Sequence, residues 1–176
     1  MSILIESEKG LARVTLNRPD RRNAFDAAMV EDLRQAFVRL GEDPSVRVIV
    51  LAGAGETFCA GADLRWMGPD RTVSVLEARQ DAERLLAMFR SIDECPCPVI
   101  ARIQGAAYGG GVGLIAVSDI AVATTAATFA FSEVRLGFVA GVISPFLLRK
   151  TGESFARRFC LTGEVFSAAT AREAGL

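Results

Sequence analysis

Two glycine-rich turns carry the residues that are best suited to chemistry in this sequence. The first, "FCAGAD" at 58–63, follows the apolar run "VRVIVLAG", and the second, "AAYGGGVG" at 106–113, follows "VIARIQG". Glycine costs about 0.5–1 kcal/mol relative to alanine inside a regular element, so the second turn needs a reason for its glycines. Each turn could aim a backbone N–H outward at the start of a helix. Two such donors directed at one point would stabilise a developing oxyanion.

The absence of histidine narrows the chemistry further. The chain has 176 residues and none is a histidine, which excludes serine–histidine and cysteine–histidine nucleophiles and histidine-ligated metals. Cys95 and Cys97 are too close in sequence for a usual pair of metal ligands, so we expect no metal site and free thiols. Acid–base chemistry near neutral pH must then fall to a carboxylate, a lysine or a tyrosine with a shifted pKa.

Two other interpretations of the second turn remain open at this level. Residues 111–116 match G-x-G-x-x-A, a pattern found in dinucleotide-binding turns, although the match is short and no phosphate-binding lysine follows it. The glycines could also serve close packing of a helix on a strand, with no ligand involved.

The elements that must position these turns alternate between strand and helix. Apolar–polar alternation over 11–17 and a buried apolar run at 46–53 predict strands. Apolar residues spaced by three or four predict a helix over 72–94, and Ser74 with Glu77 resembles the capping box that would start it. This alternation predicts an α/β fold with a largely parallel sheet.

The rest of the chain continues as one unit. Ser144 and Pro145 predict the start of another helix, with the serine as N-cap and the proline in the first turn. No repeat, low-complexity tract or linker interrupts the sequence, so we expect a single domain over 1–176.

Five segments of the sequence together resemble the enoyl-CoA hydratase/isomerase (crotonase) family, in order and in spacing. They are "LNRPDRRNAF", "FCAGADL", "IQGAAYGGGVGL", "SDIAVA" and "ATFAFSEVRLGF". The resemblance covers the whole chain and implies the crotonase spiral of ββα units. It implies an acyl-CoA thioester as substrate, with coenzyme A as part of that substrate and no separate cofactor. It also implies a helical C-terminal region and a homotrimer or hexamer, so without that region we expect a C-terminally truncated core.

The same resemblance assigns the site residues. It implies an oxyanion hole made by the backbone N–H groups of Ala60 and Gly110, where the lack of a Cβ lets a thioester oxygen reach the main chain. It implies Glu133 as the carboxylate that moves the proton. Asp63 could alternatively cap the turn that follows it. Substrate contacts are expected at Arg22, Ala24, Ala60, Gly61, Ala62, Asp63, Gly110 and Gly113.

The residue at position 113 bears on whether the resemblance implies a hydratase or an isomerase. It stands where many family hydratases carry a second glutamate, in the pattern G-G-G-x-E, and a lone glutamate favours a Δ3,Δ2-enoyl-CoA isomerase. However, "AAYGGGVGL" with "SEVRLGFVAGVISPFLLRKTG" resembles the methylglutaconyl-CoA hydratases of leucine breakdown, which also have glycine there. We therefore expect hydration of a branched or carboxylated 2-enoyl-CoA, with Gly113 leaving room for the acyl group. The alternatives are the isomerase and an acyl-CoA-binding module without catalysis.

Composition limits the partners of the protein. The formal net charge is −1, so no general attraction to nucleic acid or to an anionic membrane is expected. The N-terminus reaches Glu6 before any long apolar stretch, and no apolar run approaches the roughly 18 residues of a membrane span. We therefore expect a cytoplasmic protein whose partners are the acyl-CoA and further copies of the chain.

Overall fold

The structure is a computed structural model that describes residues 1–67 and 72–176. Two 3-10 helices lie at Pro19–Arg21 and Ser132–Leu136. The strands are β1 (Ile3–Glu8), β2 (Leu11–Leu16), β3 (Val48–Gly53), β4 (Val99–Ile103), β5 (Ala107–Tyr108), β6 (Ile120–Ala123), β7 (Thr128–Ala130) and β8 (Phe166–Ser167). The helices are α1 (Ala27–Glu42), α2 (Leu64–Met67), α3 (Val75–Asp93), α4 (Gly110–Ala116), α5 (Ser144–Thr151), α6 (Glu153–Thr162) and α7 (Ala168–Glu173).

The larger sheet has the strand order β1-β2-β3-β4-β6. Only the β1–β2 pair is antiparallel, and the other neighbours run parallel, which confirms the predicted α/β fold with a largely parallel sheet. Strand β1 was not predicted, because only Ile3 of its six residues is buried and the rest carry no strong pattern. As an edge strand, β1 is tied down by pairing with β2 along its whole length.

Helices α1 and α3 pack against each other beside this sheet. Asp26 caps α1 by accepting a hydrogen bond from the Met29 N–H at 3.0 Å, and Leu33 and Phe37 bury its apolar face. The capping box predicted for α3 is confirmed, because Ser74 and Glu77 bond each other's backbone N–H groups. No helix within 1–67 or 72–176 is long and apolar enough to cross a membrane.

A smaller sheet with the order β5-β7-β8 lies beside the larger one. The 3-10 helix Ser132–Leu136 begins two residues after the end of β7. Behind it the rings of Phe129 and Phe131 stack on Phe166. The predicted cap of α5 is wrong by one residue: Ile143 is the N-cap, and the Ser144 hydroxyl donates to the Gly141 carbonyl at 3.0 Å instead.

The glycine run at the start of α4 is shaped by close packing of the backbone. Gly109 has a φ of 51°, which side chains rarely tolerate. A Cβ on Gly110 would collide with the Phe25 ring, and a Cβ on Gly111 would collide with the Cys59 carbonyl oxygen. These glycines therefore allow two loops and a ring to come together, which agrees with the close-packing interpretation that the sequence left open; the approach of a thioester is not needed to explain them.

We predict that Gly111→Ala destabilises the fold, although alanine normally favours a helix by about 1 kcal/mol over glycine. The new methyl group must displace the main chain at Cys59, and overpacking of this kind costs about 1–3 kcal/mol. Denaturant unfolding followed by circular dichroism measures the loss. Gly141→Ala is the matched control, since its nearest neighbour would be Val139 Cγ1 at 3.7 Å. Equal stability of Gly111→Ala and the parent chain would contradict this account of the run.

Candidate active site

A cavity of about 220 Å³ opens between the two glycine-rich turns, helix α3 and the segment 132–143. Side chains such as Phe25, Leu85, Phe89 and Ile143 make its walls largely apolar. Among the described residues, Glu133 is the one ionisable side chain on its wall. The structure thus brings together the following predicted site residues: Ala60, Gly61, Ala62, Gly110 and Glu133.

Of the two predicted oxyanion donors, Ala60 is engaged elsewhere. Its N–H donates to the Arg22 carbonyl oxygen at 2.9 Å, so the prediction that it faces a thioester oxygen is wrong. The N–H of Ala62 makes no hydrogen bond within the described chain, while its two neighbours bond Phe25 through the Gly61 carbonyl and the Asp63 N–H, each at 2.9 Å. Alternate residues of an extended segment point their N–H groups to opposite sides, which leaves the Ala62 donor free.

The second predicted donor, Gly110, is free in the structure. Gly110 is the first residue of α4, and the acceptor four residues before it is the Ala106 carbonyl. That oxygen instead accepts the Phe58 and Cys59 N–H groups, at 3.0 and 3.2 Å. Within the described residues the Gly110 N–H has no hydrogen-bond partner. The two donors lie close together because the residue before Ala62 is a glycine. A Cβ built on Gly61 would lie only 3.1 Å from the Gly110 nitrogen.

Glu133 places a carboxylate against the main chain of the glycine run. Its Oε1 lies 3.1 Å from where a Cβ on Gly109 would be, and its buried Oε2 has no hydrogen-bond partner within the described chain. Burial raises the pKa of Glu133 above its usual value, because the ionised form loses hydration, and a hydrogen bond to its own backbone opposes this only in part. A poorly solvated carboxylate with a free oxygen is suited to accepting and returning a proton.

Gly113 does not lie on the cavity wall. A Cβ on this residue would be 2.5 Å from Ile143 Cγ2 and 2.9 Å from the Phe89 ring, and both of those side chains do line the cavity. The expectation that Gly113 leaves room for an acyl group is therefore wrong, because Phe89 and Ile143 occupy that room. The same packing leaves no space for a second glutamate at this position.

Asp63 has a structural partner instead of a place on the cavity wall. Its carboxylate is 3.1 Å from Arg18 Nη2 and accepts the Arg65 N–H at 3.0 Å, at the start of α2. Burial acts to raise the pKa of Asp63, but the Arg65 N–H and the Arg18 guanidinium outweigh it, so the pKa lies below its usual value. The capping role that the sequence left open is the one found, and the expected substrate contact is not.

The loop that contains Arg22 and Ala24 contacts the cavity through the next residue, Phe25. Arg22 is exposed and contributes its carbonyl to Ala60, while Ala24 is buried and its carbonyl accepts Arg18 Nη1 at 2.6 Å. Neither side chain lies on the cavity wall, but Phe25 does. Phe25 was not among the predicted site residues, although a large apolar residue two positions after the polar stretch "RPDRRN" was a usable signal.

Comparison with known proteins supports the family that the sequence resembles. The family model described as enoyl-CoA hydratase/isomerase matches residues 6–176. Enoyl-CoA hydratase AKT6-1 of Alternaria alternata is 39% identical over 96% of this chain, and (E)-benzylidenesuccinyl-CoA hydratase of Thauera aromatica is 34% identical over 100% of it. The matched region is 55% of the first relative and 68% of the second.

A solved structure shows the same fold. The crystal structure of an enoyl-CoA hydratase from Shewanella pealeana superposes with a TM-score of 0.96 at 37% identity, covering 99% of this chain and 66% of the other. The chain therefore spans between 55% and 68% of the length of these three proteins. The predicted crotonase fold is confirmed, and the chain belongs to the enoyl-CoA hydratase/isomerase (crotonase) family.

Proposed function

We propose that the chain hydrates a 2-enoyl-CoA thioester through an enolate. One observation carries the proposal: Glu133 shares an apolar cavity with the backbone N–H groups of Ala62 and Gly110. One oxygen of this buried carboxylate and both N–H groups have no hydrogen-bond partner among residues 1–67 and 72–176. An enolate needs both parts, since the donors stabilise the negative oxygen and the carboxylate moves the proton. The relatives named as enoyl-CoA hydratases support the same reaction class.

In the proposed mechanism the thioester carbonyl oxygen accepts the N–H groups of Ala62 and Gly110. Water adds its oxygen to the β-carbon, the electron pair of the double bond moves onto the thioester oxygen, and Glu133 takes the proton that the water gives up. Glu133 then delivers a proton to the α-carbon as the enolate collapses, which restores the carboxylate. Losing one such backbone donor typically costs about 2.7–4 kcal/mol of transition-state stabilisation.

Double-bond isomerisation is a second candidate, and the packing of Gly113 favours it. Because Phe89 and Ile143 fill the space where a second glutamate would stand, Glu133 is left as the one described carboxylate on the cavity wall. One carboxylate is enough to remove a proton from one carbon and return it to another. Isomerisation fixes no oxygen from water, whereas hydration must, so ¹⁸O-labelled water distinguishes the two reactions.

We further propose that the acyl group is uncharged. The described cavity wall carries Glu133 and no cationic side chain, so a second carboxylate on the substrate would be desolvated without a counter-charge and repelled. This differs from the carboxylated acyl group expected from the sequence. The Thauera aromatica relative, whose name denotes a carboxylated acyl group, makes the question worth testing directly.

The expected assembly rests on the family resemblance, and the expected cellular location rests on the composition of the sequence. We propose a homotrimer or hexamer of the whole protein, which sedimentation would detect. A cytoplasmic location stays a prediction.

For Glu133→Gln we expect kcat to fall roughly 10²–10⁴-fold, the usual contribution of a positioned acid–base group. Affinity for the CoA thioester should change little, because glutamine keeps the shape of the side chain. Glu164→Gln is the control, since Glu164 is bound to Arg158 on the surface. The assay uses crotonyl-CoA in ¹⁸O-labelled water. Normal turnover by the Glu133→Gln variant would show that Glu133 takes no part in the mechanism. If the parent chain binds the thioester but does not turn it over, the chain is a binding module instead.

The raised pKa of Glu133 also predicts a gain in stability for Glu133→Gln. A carboxyl whose folded pKa exceeds its unfolded value favours folding while protonated, and this contribution is lost as pH rises through the folded pKa. Glutamine does not ionise, so the variant should melt at a higher temperature than the parent chain near pH 7. The difference should shrink as the pH falls toward about 4, where both states bind the proton.

Glu164→Gln gives the opposite sign in the same melting experiment. The hydrogen bond from Arg158 lowers the pKa of Glu164, so this carboxylate favours folding when ionised and its replacement should bring no stabilisation at neutral pH. A Glu133→Gln variant that melts at or below the parent temperature near neutral pH would argue against a carboxylate destabilised by burial.

The proposed acyl class predicts the outcome of a matched substrate pair. 2-Pentenoyl-CoA and glutaconyl-CoA have the same chain length and differ in a terminal methyl against a terminal carboxylate. We expect kcat/KM to be at least about tenfold higher for the pentenoyl substrate, a difference of about 1.4 kcal/mol. Equal values, or a preference for glutaconyl-CoA, would show that the protein supplies a counter-charge that this cavity wall does not contain.

A further inference from the structure

Three loops of the site meet at one backbone carbonyl, that of Thr57. Its oxygen accepts a hydrogen bond from Asn23 Nδ2 at 2.8 Å and another from Gln104 Nε2 at 3.1 Å. Asn23 lies in the loop before α1, and Gln104 follows β4 on the way to α4. The carbonyl itself belongs to the turn that leads to Ala62. We call Asn23, Thr57 and Gln104 the carboxamide junction.

Both amide nitrogens make their other bonds to the same turn, while Asn23 Oδ1 accepts the Arg18 N–H at 3.0 Å. Asn23 Nδ2 also donates to the Ala54 carbonyl at 2.8 Å, and Gln104 Nε2 also donates to the carbonyls of Gly53 and Gly55 at 2.8 and 3.0 Å. Every partner of these two nitrogens is a carbonyl oxygen, so a rotated amide would place oxygen against oxygen. The two side chains therefore serve as donors, and neither can be replaced by a carboxylate without repulsion.

From the junction the main chain leads directly to both oxyanion donors. Ala62 is five residues after Thr57, and Gly110 is six residues after Gln104. Between them the two segments are joined by backbone bonds, because the Ala106 carbonyl accepts the Phe58 and Cys59 N–H groups and the Tyr108 N–H donates to the Cys59 carbonyl at 2.9 Å. A shift of one segment at Thr57 would therefore be carried along this pairing to the donors.

Within the described chain, the side chain of Gln104 bonds only this turn, while its backbone carbonyl accepts the Thr124 hydroxyl at 3.2 Å. It is half-buried, and its Oε1 has no hydrogen-bond partner within the described chain. All three of its side-chain bonds go to the turn at 53–57. A buried unpartnered acceptor costs stability, so this amide is not explained by stability alone.

We infer that Asn23 and Gln104 are positioning residues that set the separation of the Ala62 and Gly110 N–H groups. The inference rests on the proposed function, because it concerns how the proposed oxyanion hole is held. Neither residue touches the substrate, as neither lies on the cavity wall. Misplacing a catalytic group by about 1 Å can cost roughly 10²-fold in rate, which is the range where such a junction matters.

The test uses Gln104→Met, which keeps the length of the side chain and removes its donors. Gln35→Met is the matched control, because Gln35 is exposed on α1 and bonds only Glu31 among the described residues. The probe is 2,4-hexadienoyl-CoA, whose absorption band moves to longer wavelength when hydrogen bonds polarise the conjugated thioester carbonyl. This shift reports the geometry of the two donors. It does not change in the folded molecules of a variant that is merely less stable.

We expect the parent chain and Gln35→Met to shift the band equally. Gln104→Met should bind the probe with a similar Kd and lose most of the shift, with kcat for crotonyl-CoA down by roughly ten- to a hundredfold. A full shift with Gln104→Met would overturn the inference and leave the proposed function standing. No shift with the parent chain would instead overturn the proposed oxyanion hole itself.

Asn23→Gly provides the second variant. Asn23 has a φ of 55°, which glycine adopts without strain. The substitution removes the other donor to Thr57, together with the bond to the Ala54 carbonyl and the acceptor of the Arg18 N–H. Loss of the shift in this folded variant supports the inference, and a full shift overturns it. If melting curves show that neither Gln104→Met nor Asn23→Gly folds, the junction is a requirement of folding and the inference is withdrawn.

Discussion

The site depends on the close approach of two main-chain segments, each of which presents a glycine to the backbone of the other. Gly111 meets the carbonyl of Cys59, and Gly61 meets the turn at Tyr108 and Gly110. This contact brings the two free donors of different loops to one cavity, and it uses the Ala106 carbonyl that would otherwise bond the Gly110 N–H. The open donor is thus a consequence of how the segments pair, since the paired loop takes the acceptor that the helix would have used.

Two carboxylates near this contact show how the surroundings assign opposite roles to the same group. Asp63 faces Arg18 and a backbone N–H, its pKa is lowered, and it joins two loops. Glu133 faces hydrocarbon and the Gly109 backbone, its pKa is raised, and one oxygen has no partner among the described residues. The first arrangement favours a permanent charge, and the second favours a group that exchanges a proton.

The sequence predicted what local patterns and family motifs encode. The parallel sheet, the capping box of α3 and the gathering of Gly110 with Glu133 at one cavity followed from periodicity and resemblance. The donor in the first turn was misplaced by two residues, because a motif does not say which N–H of an extended segment points inward. That direction is fixed by the pairing with Phe25, a contact between residues far apart in sequence.

The role of Gly113 could not be predicted for a related reason. A missing side chain in a sequence is compatible with open space or with a neighbour that fills the space, and here Phe89 and Ile143 come from two other segments to fill it. A second carboxylate would have to displace both side chains and would then be desolvated among them. The proposed reaction therefore uses one carboxyl group. Both oxygens of Glu133 lie against Gly109, at 3.1 and 3.4 Å from where its Cβ would be, and Oε2 has no hydrogen-bond partner in the described chain, so this one carboxylate has an oxygen left to exchange a proton.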